Sequence, residues 1–197
     1  MKWSIKPAAG LLILLLAGGF HGLYAQTTAS CPSDMDKSFL MNAMSGGLLA
    51  VSLSKTAVDH AGDEAVKKAG ESIAAAETEL NEELARLAKR KGVELGNSMP
   101  ERDWETVLKF SKFNGAEFDR AYLDLMIPML QRDEAACETE ARNGQDPDVK
   151  GLAAKMAPII REHLKALSAI GRKAGGDSGH LSGGSMIESS GTRRANT

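Results

Sequence analysis

From Ser33 to Gly171, apolar residues recur at intervals of three and four, and no run alternates with the period of two that a strand needs. A chain with that period must fold as helices, each burying one stripe against the others, because it has no material for a sheet. The punctuation between stripes sets the helix ends. A first helix is predicted over about 35–60, after "CPSD", with Phe39, Leu40, Met44, Val51 and Val58 inward. Gly46 and Gly47 inside it cost roughly 1 kcal/mol each relative to Ala, a cost that a close approach of two backbones would explain. A second helix is predicted over about 63–91. Asp63 and Glu64 lie at its positive end, "KRKG" closes it, and Val66, Ile73, Leu80, Leu84 and Leu87 form its stripe. Ser98 stands three before Glu101, with Pro100 between them, a capping-box spacing that predicts a short helix over about 99–113. A long helix over about 116–142 follows, with Phe118, Tyr122, Leu125 and Met129 inward, and "NGQDP" then starts a last one over about 147–171. Pro128 and Pro158 are expected to kink these two.

The connections choose the topology. The first two long helices are joined by a few residues, as are the last two, so each pair is an antiparallel hairpin. Between the pairs lie residues 93–115. Nine extended residues reach about 30 Å, and a helix of about 15 residues adds about 22 Å, enough to climb the bundle. The fold class is therefore all-α, a four-helix bundle of ferritin-like topology with a short crossover helix between the two hairpins. This topology brings Cys31 and Cys137 to one end, whereas a simple up-down bundle would separate them by more than the ~7 Å that a disulfide tolerates. A Cys31–Cys137 bridge is one expectation; a buried helix thiol with a free N-terminal one is the other.

The flanks read differently. Lys2 and Lys6 precede the apolar run "AAGLLILLLAGG", and "LYA" offers a cut after Ala25, so residues 1–25 read as a signal peptide. The run is shorter than the ~20 residues a bilayer crossing needs. Soluble export to the periplasm or outer membrane is expected; a lipid anchor at Cys31 is the alternative. Removing Lys2 and Lys6 takes the formal charge from −2 to −4, and no basic run carries interleaved aromatics, which argues against nucleic-acid binding. Residues 26–34 form an N-terminal segment, 35–172 the bundle domain, and 173–197, rich in Gly and Ser, a disordered tail containing His180.

Chemistry has few places to reside. No Glu-x-x-His, Cys-x-x-Cys, His-Glu-x-x-His, phosphate-cradling glycine loop or Gly-x-Ser-x-Gly elbow occurs. "VDHAGDE" gathers Asp59, His60, Asp63 and Glu64, where helix-end electrostatics explain them as well as a metal does. Two polar residues are out of place on apolar stripes. His163 stands four after Ile159 and four before Leu167, and Glu77 four after Ile73 and three before Leu80. Both lie near mid-bundle, about 21 and 24 Å along their helices at 1.5 Å per residue. The expectation is a buried Glu77–His163 pair fixing helix register, since a lone buried carboxylate is costly. A metal or ligand site on the same two residues is the alternative, although two ligands are fewer than zinc or iron usually require. Trp104, Phe110 and Phe113 on the short helix are expected to cover one flank of the core, or else to form an outward docking strip.

"FLMNAMSGGLLAVSLSKTA", "NEELARLAKRKGVEL", "FDRAYLDLM" and "MAPIIREHLKAL" resemble, in this order, the exported family called domain of unknown function 4142. Its members are often labelled outer-membrane proteins and grouped with ferritin-like bundles. The resemblance spans about 36–171 and rests on Phe118-Asp119-x-x-Tyr122 and Pro158-x-x-x-x-His163-Leu164, neither of them a catalytic signature. The family usually carries a Glu after the paired glycines and an Asp-His on each of the second and third long helices. Here Ala50, Ala76-Glu77 and Met129-Leu130 stand at those places, and only His163 remains. The resemblance therefore implies a bundle whose polar cluster has been largely replaced by apolar packing. The function expected is that of an exported, non-catalytic envelope protein with a structural or interaction role, an unidentified protein or envelope partner and no cofactor. The alternative is a ferritin-like metal-binding or redox protein centred on Glu77 and His163.

Overall fold

A computed structural model describes residues 31–96 and 98–179. The signal-peptide expectation for residues 1–25 and the tail expectation for residues 180–197 lie outside them, and Cys31, the alternative anchor point, is the first of them. Five helices follow one another: α1 (Asp34–His60), α2 (Glu64–Arg90), α3 (Glu101–Phe110), α4 (Gly115–Asn143) and α5 (Pro147–Gly179). No strand occurs among the described residues, only a single parallel bridge between Ala61 and Gly115. None of the helices among them is long and apolar enough to cross a membrane.

The ends form where short polar side chains meet unpaired backbone groups. Ser33 caps α1 in a reciprocal box: its Oγ accepts from the Asp36 N–H, while Asp36 accepts from the Ser33 N–H at 2.6 Å. Asp63 caps α2 through the Ala65 N–H. Gly92, at φ +67°, ends that helix in the left-handed conformation that suits glycine. Asp146 caps α5 by accepting from the N–H groups of Asp148 and Val149, with Pro147 in first position. The Ser98 box expected for the crossover helix does not form. α3 starts later, behind Pro100, and has no side-chain cap. α5 continues to Gly179, so residues 173–179 are helical rather than part of an irregular tail. Pro128 and Pro158 both sit inside continuous helices.

The two hairpins hold each other by their turns. Asp119 of α4 accepts from the N–H groups of Gly62 (3.0 Å) and Asp63 (2.9 Å) in the α1–α2 turn. At the opposite end, Asp36 of α1 accepts from Gln145 (2.9 Å) and Asp146 (3.2 Å) in the α4–α5 turn. Each hairpin thus contributes one aspartate that satisfies the orphan backbone donors of the other. This reciprocal arrangement requires the crossover to span the bundle, as the ferritin-like topology does. His60 reinforces the first clasp, its Nδ1 lying 3.0 Å from the Phe113 carbonyl oxygen and its ring stacking 6.0 Å from Phe118.

The core runs the length of the bundle through Leu40, Leu53, Ile73, Leu84, Phe118, Tyr122, Leu130 and Leu167. Tyr122 keeps its hydroxyl paired by meeting Ser54 Oγ at 2.8 Å. α1 and α2 approach each other tightly at Gly70, where a Cβ would come within 2.8 Å of the Ser54 carbonyl oxygen. The paired glycines act differently from the expectation. A Cβ at Gly47 would collide with the Asn81 side chain at 2.1 Å, and one at Gly46 would touch Asp133 at 3.6 Å. Gly47 makes room for a polar side chain, not for a second backbone, and Gly46 would tolerate a Cβ in ordinary contact.

Candidate functional site

The small residues of α1 and α4 leave a pocket of about 380 Å³ in the half of the bundle nearer the α4–α5 turn. Gly47 and Ala43 on α1 and Ala135 and Ala136 on α4 supply no bulk to fill it. Met35, Phe39, Met156 and Ile160 provide apolar wall. Into this mostly apolar space the chain places three carboxyl groups: Glu77 from α2 and Asp133 and Glu140 from α4.

Their surroundings differ. Glu77 is 4% exposed, and no hydrogen bond or ion pair reaches its carboxyl group. Burial, with the nearby Asp133 charge second, pushes it up to about 7. Asp133 is half-buried and likewise without a hydrogen-bond partner; burial raises it to about 6 against the opposing charge of Arg132. Glu140 is 1% exposed, and neither of its oxygens has a donor. An ionised carboxylate could hardly remain there. A protonated Glu140 resolves the difficulty by donating to Asp36. Burial first, then this hydrogen bond and the Asp36 charge, raises Glu140 to about 7. Burial would raise Asp36 as well, but hydrogen bonds from Ser33, Glu140 and the backbone of Ser33 and Asp146 hold it well below the usual carboxylate range. Asp36 and Glu140 thus form a carboxylate–carboxyl pair that belongs to the turn clasp. Lys91 closes this end, with Nζ 2.7 Å from a carboxylate oxygen of both Asp146 and Asp148.

The expected Glu77–His163 pair is not present. His163 is 9% exposed, its Nδ1 has no partner, and burial is what lowers its pKa. It sits one turn beyond Ile160, outside the pocket lining, while Glu77 faces Asp133. Height along a bundle is readable from sequence, but the direction a side chain takes around it is not, and here Glu77 lines the pocket while His163 does not. The Cys31–Cys137 bridge is absent too: both thiols are free, Cys31 exposed and Cys137 buried. Cys137 lies about 9 Å down from the end of α4 and faces the pocket. Burial, then the charges of Asp133, Glu77 and Glu134, push its thiol up to about 12. A thiol so held is neither nucleophile nor ready partner for disulfide exchange.

The second histidine cluster is also accounted for by helix ends. His60 clips the α3–α4 turn and Asp63 caps α2. Among the described residues, no three His, Cys, Asp or Glu side chains converge as a metal ion would need. The carboxylate-and-histidine donor set of a ferritin-like dinuclear centre therefore does not fit this interior. Ala50, Met129 and Leu130 are buried, apolar and packed in the core. The short helix divides its aromatics: Phe110 is buried, Phe113 packs edge-on against it at 5.9 Å, and Trp104 is half exposed.

Asp133 and Glu140 are absent from the sequence reading although their signal is there. Met126, Leu130, Asp133, Cys137 and Glu140 recur at intervals of four and three, one inward stripe. The rule that exposes Glu77 on α2 exposes both on α4.

A fold of this kind, with this interior, can be set beside known proteins. The model of a family described as domain of unknown function, DUF4142, matches residues 23–170. The chain belongs to the DUF4142 family. Similar solved structures share the DUF4142 chain's fold. A DUF305 fragment from Deinococcus radiodurans is 16% identical with a TM-score of 0.63, over 73% of this chain and 99% of that one. A protein named for the spore coat, from Bacillus halodurans C-125, is 16% identical with a TM-score of 0.57, over 74% and 91%. No curated protein matches. At these identities the likeness concerns the helical architecture alone.

Proposed function

We propose that this DUF4142 chain is an exported, non-catalytic helical bundle of the cell envelope that works by binding, with the pocket between α1 and α4 as its site. The observation that carries the binding reading is Glu77, a carboxyl group 4% exposed, facing a cavity and left without any partner. Such a group destabilises the fold that contains it, so the fold does not account for its presence. Ligand pockets combine apolar walls with a few convergent polar groups, and volumes of about 300–1,000 Å³ are usual. The non-catalytic reading is supported by what faces the pocket. Its thiol is held protonated, and no histidine among the described residues lines it. Export is supported by Lys2, Lys6 and the apolar run that ends in "LYA".

Two measurements test the proposal. The intact mass of the protein recovered from the envelope fraction should correspond to a chain beginning at Gln26; an uncleaved cytoplasmic chain would refute export. Ala43→Phe should fill the pocket and abolish ligand-induced thermal shifts while leaving the helical circular dichroism intact. Shifts that persist in this variant would place binding elsewhere.

A further inference from the structure

The pocket's chemistry narrows what it can bind. Its lining is mostly apolar, and the two acids that face the free space, Glu77 and Asp133, make no ion pair or hydrogen bond. Arg132, whose charge acts on Asp133, is exposed on α4, and its Nε is engaged with the Pro128 carbonyl oxygen. Anions are therefore repelled, a neutral apolar guest would leave both carboxylates unsatisfied, and a neutral donor would leave their charge uncompensated. A bare metal ion would find two carboxylates and no third ligand among the described residues. The remaining match is a guest that carries its own positive charge on an apolar body. Phe39 and Met156 line the space such a body would occupy, and a ring there can also attract the charge through its face.

We propose that the pocket takes a small organic ammonium ion, its charged nitrogen held between Glu77 and Asp133 and its hydrocarbon part against Phe39 and Met156. This rests on the binding role proposed above and names its ligand class. The same placement makes binding proton-linked, because the cation and the protons compete for two carboxylates that burial already inclines toward the neutral form. The other titratable groups facing Glu77 are few. From α4 they are Cys137, a protonated thiol, and Glu140, which is committed to Asp36; α1 and α5 present only uncharged residues to the pocket.

The test is calorimetric titration of the purified protein with four probes used separately: hexylammonium, hexan-1-ol, hexanoate and zinc ion. Hexylammonium should bind with one-to-one stoichiometry at pH 8. Its affinity should fall about tenfold or more in Glu77→Gln and again in Asp133→Asn, and by a similar factor in the unmodified protein at pH 5. Glu79→Gln, on the exposed face of α2, should change nothing. Circular dichroism verifies that each variant is folded, and the two acid variants give independent readings. Hexan-1-ol binding as tightly as hexylammonium, with both lost in Ala43→Phe, would overturn the ammonium assignment and leave the binding role standing. Zinc binding that is lost in Glu77→Gln would overturn it in favour of a metal. No binding by any probe would overturn both.

Discussion

Replacing Glu77 by Gln should change how stability depends on pH, in a direction and size that follow from the structure. The carboxyl group moves from 4.5 in the unfolded chain to about 7 in the fold, chiefly through burial. Each unit is worth about 1.4 kcal/mol, so the full effect is about 3 kcal/mol. Because the folded value is the higher one, the native state binds more protons between 4.5 and 7. Stability therefore falls as pH rises through that window. Below it both states are protonated and nothing is lost; above it the whole penalty is present. His163 contributes a slope of the opposite sign, since burial lowers its pKa and stability is lost as pH falls below 6.5. Asp36 matters only below its ordinary 3.8. Subtracting the variant's curve from that of the unmodified protein cancels both. Urea unfolding at closely spaced pH values supplies the curves. Glu77→Gln should be about 3 kcal/mol more stable, relative to the unmodified protein, at pH 8 than at pH 4. Parallel curves, differing by a constant within about 0.5 kcal/mol, would show that Glu77 is solvated or paired and would refute the reasoning.

Other perturbations probe the frame around the site. Asp36→Ala should cost about 3 kcal/mol in urea unfolding, because it strands backbone donors at Ser33, Gln145 and Asp146. Glu140→Gln should be within about 1 kcal/mol of neutral at pH 5, since the amide can still donate to Asp36. Gly70→Ala should lower the melting temperature by an overpacking cost of about 1–3 kcal/mol, because its Cβ meets the Ser54 carbonyl oxygen. Gly151→Ala, with nothing within 4 Å, should raise it by up to about 1 kcal/mol. His163→Leu should leave stability at pH 7 within about 1 kcal/mol and remove the loss below pH 6.5, as chemical denaturation at both pH values will show.

Much of the frame is legible in the sequence because it is local. Asp63, Gly92 and the Asp146-Pro147 step mark helix ends through chemistry confined to a few residues, and the length of 93–115 fixes the crossover by reach alone. The site is less legible because it depends on azimuth. Glu77 is conspicuous on its stripe, but that it lines the pocket with Asp133 turns on how α2 is rotated about its axis, which no spacing encodes. The glycine pair shows the same boundary. Its positions announce close approach, yet that the approaching atoms belong to Asn81 and Asp133 is a tertiary fact. The Asp36–Glu140 pair joins residues more than a hundred apart through one proton, and nothing nearby in sequence signals it.

The central claim is that two carboxyl groups stand unpaired in the interior of a greasy bundle, and side-chain carbon NMR reads them directly. With carboxyl carbons labelled and the ligand-free protein titrated from pH 3 to 9, Glu77 should show a midpoint of about 7 and Asp133 one of about 6. Midpoints near 4 for both would mean that water or a counter-charge already reaches them, and the pocket would have no vacancy for a cation to fill.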